Sequence, residues 1–254
     1  MYARFLCSLL WLLVASTIYA GDQAYSDTDD YAKVHSNGAA ATVHPLATQA
    51  AINALDQGGT AIDAAIAAAV TLGVVDGHNS GIGGGNFAVV RWADGRVEAL
   101  DGREQAPAAA RHDMFVRDGK GDIQLSTTGP LAVGIPGSVA VYEYMHRQGG
   151  KLAWQDLILP AADLAEQGFS LSASSAKRIA RTAEKLRRFP ASSKIFLDSQ
   201  QQPLAAGVLL KQQDLASSYR LLAKHGGEYF YRGDFAKRVA HWMAENGGII
   251  SADD

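Results

Sequence analysis

Cysteine is almost missing from this sequence. The single one, Cys7, falls within the first twenty residues, so the remainder holds no disulfide and no cysteine metal site. Histidine offers little in its place: the seven histidines are scattered and form no HExxH pair. His241 and Glu245 stand one helical turn apart and could share a metal, yet a lone pair of that kind is usually a surface contact. A GxSxG elbow and a P-loop are both absent. Charge is sparse as well. Charged residues make up 19% of the chain and the formal net charge is -3, so no nucleic-acid partner is implied. The apolar stretch "AAIAAAVTLGVV" is too short for a bilayer span and reads as a buried core helix.

What is present is ordinary globular material. The 254 residues, 48% hydrophobic, suffice for one large core or two small ones. In Met1 to Ala20 one arginine precedes an apolar run, and Ile18-Tyr19-Ala20 offers an imperfect cleavage site. That is the pattern of a secretory signal peptide, with an uncleaved N-terminal anchor as the alternative. A cleaved signal implies an exported chain, periplasmic or extracellular, with no membrane contact afterwards. Losing Arg4 with the signal leaves 22 basic residues (23 minus 1) against 26 acidic, about -4. Residues 21–38 are polar and acidic and read as a flexible lead-in. Residues 39–254 show no repeat and no sharp boundary.

Within that unit "AAATVHP" reads as a short strand stopping at Pro45, which opens a helix with Leu46, Ala50 and Leu55 on one face. Thr60 and Asp63 resemble a capping box for the apolar helix that follows, whose small side chains would let it lie close against a sheet. "NFAVVRW" and "RVEAL" form a hairpin around Asp94-Gly95, a type I′ signal. "DMFV" suggests a short helical turn and "RDGKGD" a tight loop; Thr127-Thr128 is read as loop. Helices are expected over "SVAVYEYMHRQGG", over "AWQDLILPAADLAEQG" with an interruption or restart at Pro160, and over "SASSAKRIARTAEKLRRF" with Ile179, Ala183 and Leu186 inward. Two more, in "KQQDLASSYRLLAKHGG" and "DFAKRVAHWMAENGG", end at glycines. The six cations of the third helix, among them Arg178, Arg181 and Lys185, read as a solvated face rather than a polyanion site, since no aromatics are interleaved.

"GIGGGNF" contains G-x-G, but it leads into a strand, whereas a dinucleotide fingerprint leads from a strand into a helix. Its glycines fit close backbone approach or positive φ instead. Just past the hairpin stands "LDGREQAP". Arg103 there is either an ordinary surface charge, exposed or paired with a neighbour such as Glu104, or a carboxylate clamp.

The ordered set "GG-x-A-x-DAA", "SGIGGGNF" and "RExAP", with "PGSVA", "PAADLAEQGF" and "NGGII" later, resembles the γ-glutamyltransferase family over about residues 39–254. The resemblance implies an α+β fold, the αββα sandwich of the N-terminal nucleophile hydrolases, incomplete in this chain. Residues 39–254 would be the N-terminal part of the large subunit. It implies a precursor that cuts itself, and a threonine nucleophile with its own amine as base. No metal or organic cofactor is implied. The substrates would be γ-glutamyl small molecules such as glutathione, passed to water, amino acids or peptides. The arginine of "RExAP", here Arg103, would bind the α-carboxylate of the γ-glutamyl group, because guanidinium offers two parallel N–H donors. No threonine here opens a matching small-subunit motif. The expectation is a chain that needs the rest of the large subunit and the small subunit as partners, and is inactive alone. Two alternatives are a glutaryl or cephalosporin acylase on the same scaffold and a non-catalytic exported binding protein.

Overall fold

The computed structural model describes residues 32–35 and 38–254. The expected signal segment, 1–20, and most of the expected lead-in lie outside those residues. Within the lead-in, Ala32–His35 form strand β1, antiparallel to β2, Gly38–Ala41.

Helix α1, Pro45–Asp56, begins with His44 as N-cap, its ring nitrogen accepting from Leu46 N at 3.3 Å, and with Pro45 in the first turn. Its buried face is broader than the sequence suggested: Ala47, Thr48, Ala51, Ile52, Ala54 and Leu55 are buried, while Leu46 is 40% exposed. The reason is that α1 has neighbours on two sides, the β1–β2 hairpin and helix α2, Ala61–Val75. The directions of those neighbours, not the bulk of Leu46, decide which residues are covered.

The capping box of α2 is present. Thr60 N donates to Asp63 Oδ2 at 2.7 Å and Asp63 N donates to Thr60 Oγ1 at 3.4 Å. Asp63 is fully buried because it also accepts from Lys151 N at 3.0 Å. The expected buried core helix is there, and among the described residues its main neighbours are helices rather than a sheet. α2 runs among α1, α4 (Ser138–Gly149) and α5 (Trp154–Gln167), where small side chains let helices approach closely. At Gly73 there is no Cβ to fend off Tyr219 of α8, Gln213–Tyr231. That tyrosine is wholly buried and its hydroxyl donates to Val70 O at 2.9 Å. α5 runs through Pro160 without a break, a difference from the expected restart.

β3 (Asn86–Arg91) and β4 (Val97–Gly102) form the expected hairpin, with Asn86 opposite Gly102. The turn is not type I′. Gly95 N donates to Trp92 O at 2.9 Å, Trp92 N donates to Arg96 O at 2.8 Å, and within the turn only Gly95 has positive φ. This is a three-residue loop closed by a glycine, the next most common hairpin connection. "RDGKGD" is a second hairpin, β5 (Val116–Arg117) and β6 (Lys120–Gly121), with Asp118 and Gly119 both at positive φ. Thr127, read as loop, closes a short helix α3, Ile123–Thr127, which Asp122 caps by accepting from Gln124 N at 2.8 Å.

α6, Ala173–Arg187, buries Ala183 and half-buries Ile179 and Leu186. α7, Pro190–Phe196, had no clear sequence signal. β7 (Phe169–Ser170) and β8 (Leu209–Leu210) tie the two ends of this region together. α8 stops helical geometry at Gly226, φ 65°, as its glycine pair suggested, and a second short stretch carries on to Tyr231. α9, Asp234–Asn246, ends on Gly247 at φ 77°. Among the described residues every ladder is two-stranded, so the core is made by helices, and no helix is long and apolar enough to cross a membrane.

Candidate functional site

The hairpin alternates as a half-buried ribbon should. Ala88, Val90 and Leu100 pack on the core, while Phe87, Val89 and Val97 face outward. At its end three glycines from distant parts of the chain meet. A Cβ on Gly85 would lie 2.7 Å from Gly102 O and 2.8 Å from Arg103 Cα. One on Gly102 would strike the Val141 side chain, and one on Gly137 would strike the Gly102 carbonyl. Here the absence of side chains is the structural requirement.

This junction carries Arg103. Its N–H donates to Asp101 Oδ1 at 2.9 Å. Two residues on, Gln105 and Ile135 exchange backbone hydrogen bonds, Gln105 N to Ile135 O at 3.1 Å and Ile135 N to Gln105 O at 2.8 Å. Pro107 is buried, and the next amide, Ala108 N, donates to Asp254 Oδ1 at 2.7 Å. The backbone on both sides of the arginine is thus fixed.

The side chain itself is exposed, with its guanidinium carbon 6.0 Å from the Phe87 ring centroid, within cation–π reach. Among the described residues no carboxylate forms an ion pair with it. Glu104, the obvious candidate, points the other way, its carboxylate lying against Gly84 and Gly85. Successive side chains of an extended segment face opposite directions, which separates the two.

Arg103 lines an open cleft of about 380 Å³ with Gln105, Pro136, Tyr144 and Tyr231. A second cleft of about 530 Å³, lined by Phe235 and Trp242, shares Ile135, Pro136, Tyr231 and Asp254 with it. Tyr231 is the largest of the shared side chains. Its hydroxyl donates to Pro136 O at 3.0 Å and accepts from Ala140 N at 3.0 Å, and burial pushes its pKa up. Tyr144 donates to Glu98 Oε1 at 2.6 Å, which holds the Glu98 carboxyl below its usual value. Trp92 Nε1 donates to the other oxygen at 3.1 Å, so Glu98 joins Tyr144 of α4 to the hairpin. The Arg103 cleft has no serine, threonine or cysteine in its lining. It offers a planar cation on a fixed backbone; Asp101 and Asp254 also line the cleft, and both tyrosine hydroxyls already donate to protein acceptors.

His241 and Glu245 lie apart from this cleft, 3.3 Å from each other on an exposed face of α9. Among the described residues no three metal-ligating side chains gather there or elsewhere. Gly102, Gly137 and Tyr231 carried no sequence reading as site residues. The "DGRE" and "PGSVA" glycines were the available signal, since two glycines so placed invite the question of what approaches them.

The sequence matches the family described as Gamma-glutamyltranspeptidase over residues 47–254. It is 38% identical over 219 residues to the glutathione hydrolase proenzyme of Pseudomonas sp. (strain A14), covering 86% of this chain and 38% of that protein. The Escherichia coli (strain K12) glutathione hydrolase proenzyme is 35% identical over 218 residues, covering 85% of this chain and 38% of that protein. The chain therefore spans about two fifths of the length of these relatives. The crystal structure of Helicobacter pylori γ-glutamyltranspeptidase superimposes with a TM-score of 0.85 at 38% identity, over 87% of this chain and 64% of that one. The α+β arrangement is thus that of the N-terminal nucleophile hydrolases, and this chain belongs to the γ-glutamyltranspeptidase family.

Proposed function

We propose that this chain supplies the carboxylate grip of a γ-glutamyl-transferring enzyme, one that takes the γ-glutamyl group from glutathione or a related compound and passes it to water, an amino acid or a peptide. The observation that carries the reading is Arg103: a guanidinium with no carboxylate partner among the described residues, on clamped backbone, at the mouth of a cleft. A bidentate pair with the substrate's α-carboxylate would fix both its charge and its direction. That fixed direction would present the γ-carbonyl to a nucleophile in a set geometry, which is where positioning lowers a barrier. In this proposal the nucleophile is a threonine outside the residues described, with its own amine as base. The chain alone then binds without turnover, and its partner is the remainder of the enzyme. Export to the periplasm or the extracellular space, by a signal in residues 1–20, belongs to the same proposal.

The test is ligand-observed NMR of the 254-residue chain with glutathione. Saturation transfer from the protein to the γ-glutamyl protons is expected. It should fall by tenfold or more in Arg103→Gln and only partly in Arg103→Lys, which keeps the charge but not the fork. Equal transfer in wild type and Arg103→Gln would sink the assignment. Glutaryl anilide, which carries the same distal carboxylate without the amino group, separates this reading from an acylase: it should be the weaker ligand.

A further inference from the structure

Sharing no lining residue with the Arg103 cleft, a groove of about 540 Å³ lies between α6, the end of α2, the β7–β8 ladder and α7. That is within the range of about 300–1,000 Å³ usual for small-molecule sites. Its walls are mostly apolar, with Val74 and Val75 from α2, Phe169 and Leu210 from the ladder, Ile179 and Leu186 from α6, and Phe189 and Phe196; Ser175, Thr182 and Gln212 are among its polar lining residues. Along one lip run Arg178, Arg181 and Lys185. Their spacing of three and four residues puts them in a single stripe about 10 Å long. All three are exposed. No aspartate or glutamate lines the groove, and among the described residues none of the three cations forms an ion pair. The nearest acid of α2, the C-cap Asp76, is engaged by His78, which also lines the groove, at 3.1 Å.

We infer that this groove binds a single-chain anionic amphiphile: the acyl chain lies along the apolar walls and the anionic head sits on the Arg178–Arg181–Lys185 lip. Charge complementarity selects the occupant. Three cations without an ion pair among the described residues, beside apolar walls, favour a ligand carrying both an anion and a hydrocarbon chain, and disfavour a neutral lipid. The recess of the apolar atoms selects a detached molecule over a bilayer surface. A flat membrane touches the exposed cations but cannot reach Phe169 and Leu210, which are 5% and 4% exposed at the floor. The inference is independent of the reading of Arg103, which lines a different cleft.

The probe is laurate, titrated into the full chain below its micellar concentration and followed by calorimetry. Saturable one-to-one binding is expected, weakened at least tenfold in the triple variant Arg178→Gln, Arg181→Gln, Lys185→Gln. These are surface substitutions, and an unchanged thermal midpoint shows that the variant folds. 1-Dodecanol should bind at least tenfold more weakly than laurate, and phosphatidylglycerol vesicles should not sediment the protein. A diazirine-bearing fatty acid should label the peptide containing Ile179 and Leu186. Absence of saturable laurate binding, equal binding by the triple variant, equal binding of dodecanol, vesicle cosedimentation, or labelling elsewhere would each overturn the inference.

Discussion

The helical core and the Arg103 junction are built on opposite rules. Around α2 and α8 the structure depends on atoms that are present: Ile66, Ile158, Tyr219 and Leu222 are essentially without solvent contact. Around Arg103 it depends on atoms that are absent, at Gly85, Gly102 and Gly137. The first rule provides stability, because buried apolar area drives folding. The second provides position, because backbone held against backbone has no rotamers to choose among.

The sharpest way to break this comparison is to delete at one site and add at the other. Leu222→Ala removes a fully buried side chain and should lower unfolding free energy by about 2–5 kcal/mol, read from urea denaturation. A loss under about 1 kcal/mol would mean that the core can collapse around the cavity. Gly137→Ala adds one methyl group where Gly102 and Arg103 carbonyls already crowd, and overpacking of this kind costs about 1–3 kcal/mol. It should also weaken glutathione binding, which Leu222→Ala should leave intact wherever the protein remains folded. If the two variants affected binding equally, the division into stabilising and positioning regions would fail.

The core was legible in the sequence because it is local. The capping pair Thr60 and Asp63, the apolar run of α2 and the glycine stops are statements about neighbours in the chain. The face of α1 was misjudged for the same reason: its second partner, the β1–β2 hairpin, is not encoded in α1. Arg103 was singled out through the family motif, while its surroundings stayed hidden. Nothing near Gly102 in sequence announces Gly137 or Val141, and nothing in "EYFY" says that Tyr231 hydrogen-bonds to Pro136 across the cleft.

Two smaller effects sharpen the contrast further. Glu98 has a lowered pKa, chiefly through the Tyr144 hydroxyl. The tie between hairpin and α4 should therefore be intact above the ordinary carboxylate range and weaken as pH falls through the depressed folded value. Trp92, which shares that carboxylate, reports the change by fluorescence, and Glu98→Gln should flatten the acid limb. The smallest effect on stability belongs to Arg103 itself. Exposed and without an ion-pair partner among the described residues, Arg103→Gln should change unfolding free energy by no more than about 0.5 kcal/mol. A larger loss would make the arginine a structural strut.

The break in α8 has a mechanical corollary. The chain bends at Gly226, Gly227 N donates to Glu143 Oε1 just beyond, and Tyr229 and Phe230 past the bend are buried as Leu222 and Ala223 are before it. Tyr231, the last residue of α8, lines both clefts. A Cβ at Gly226 would press on Glu143 and demand a strained backbone. The left-handed backbone at Gly226 thus sets the course of the chain into Tyr231, a lining residue of the Arg103 cleft.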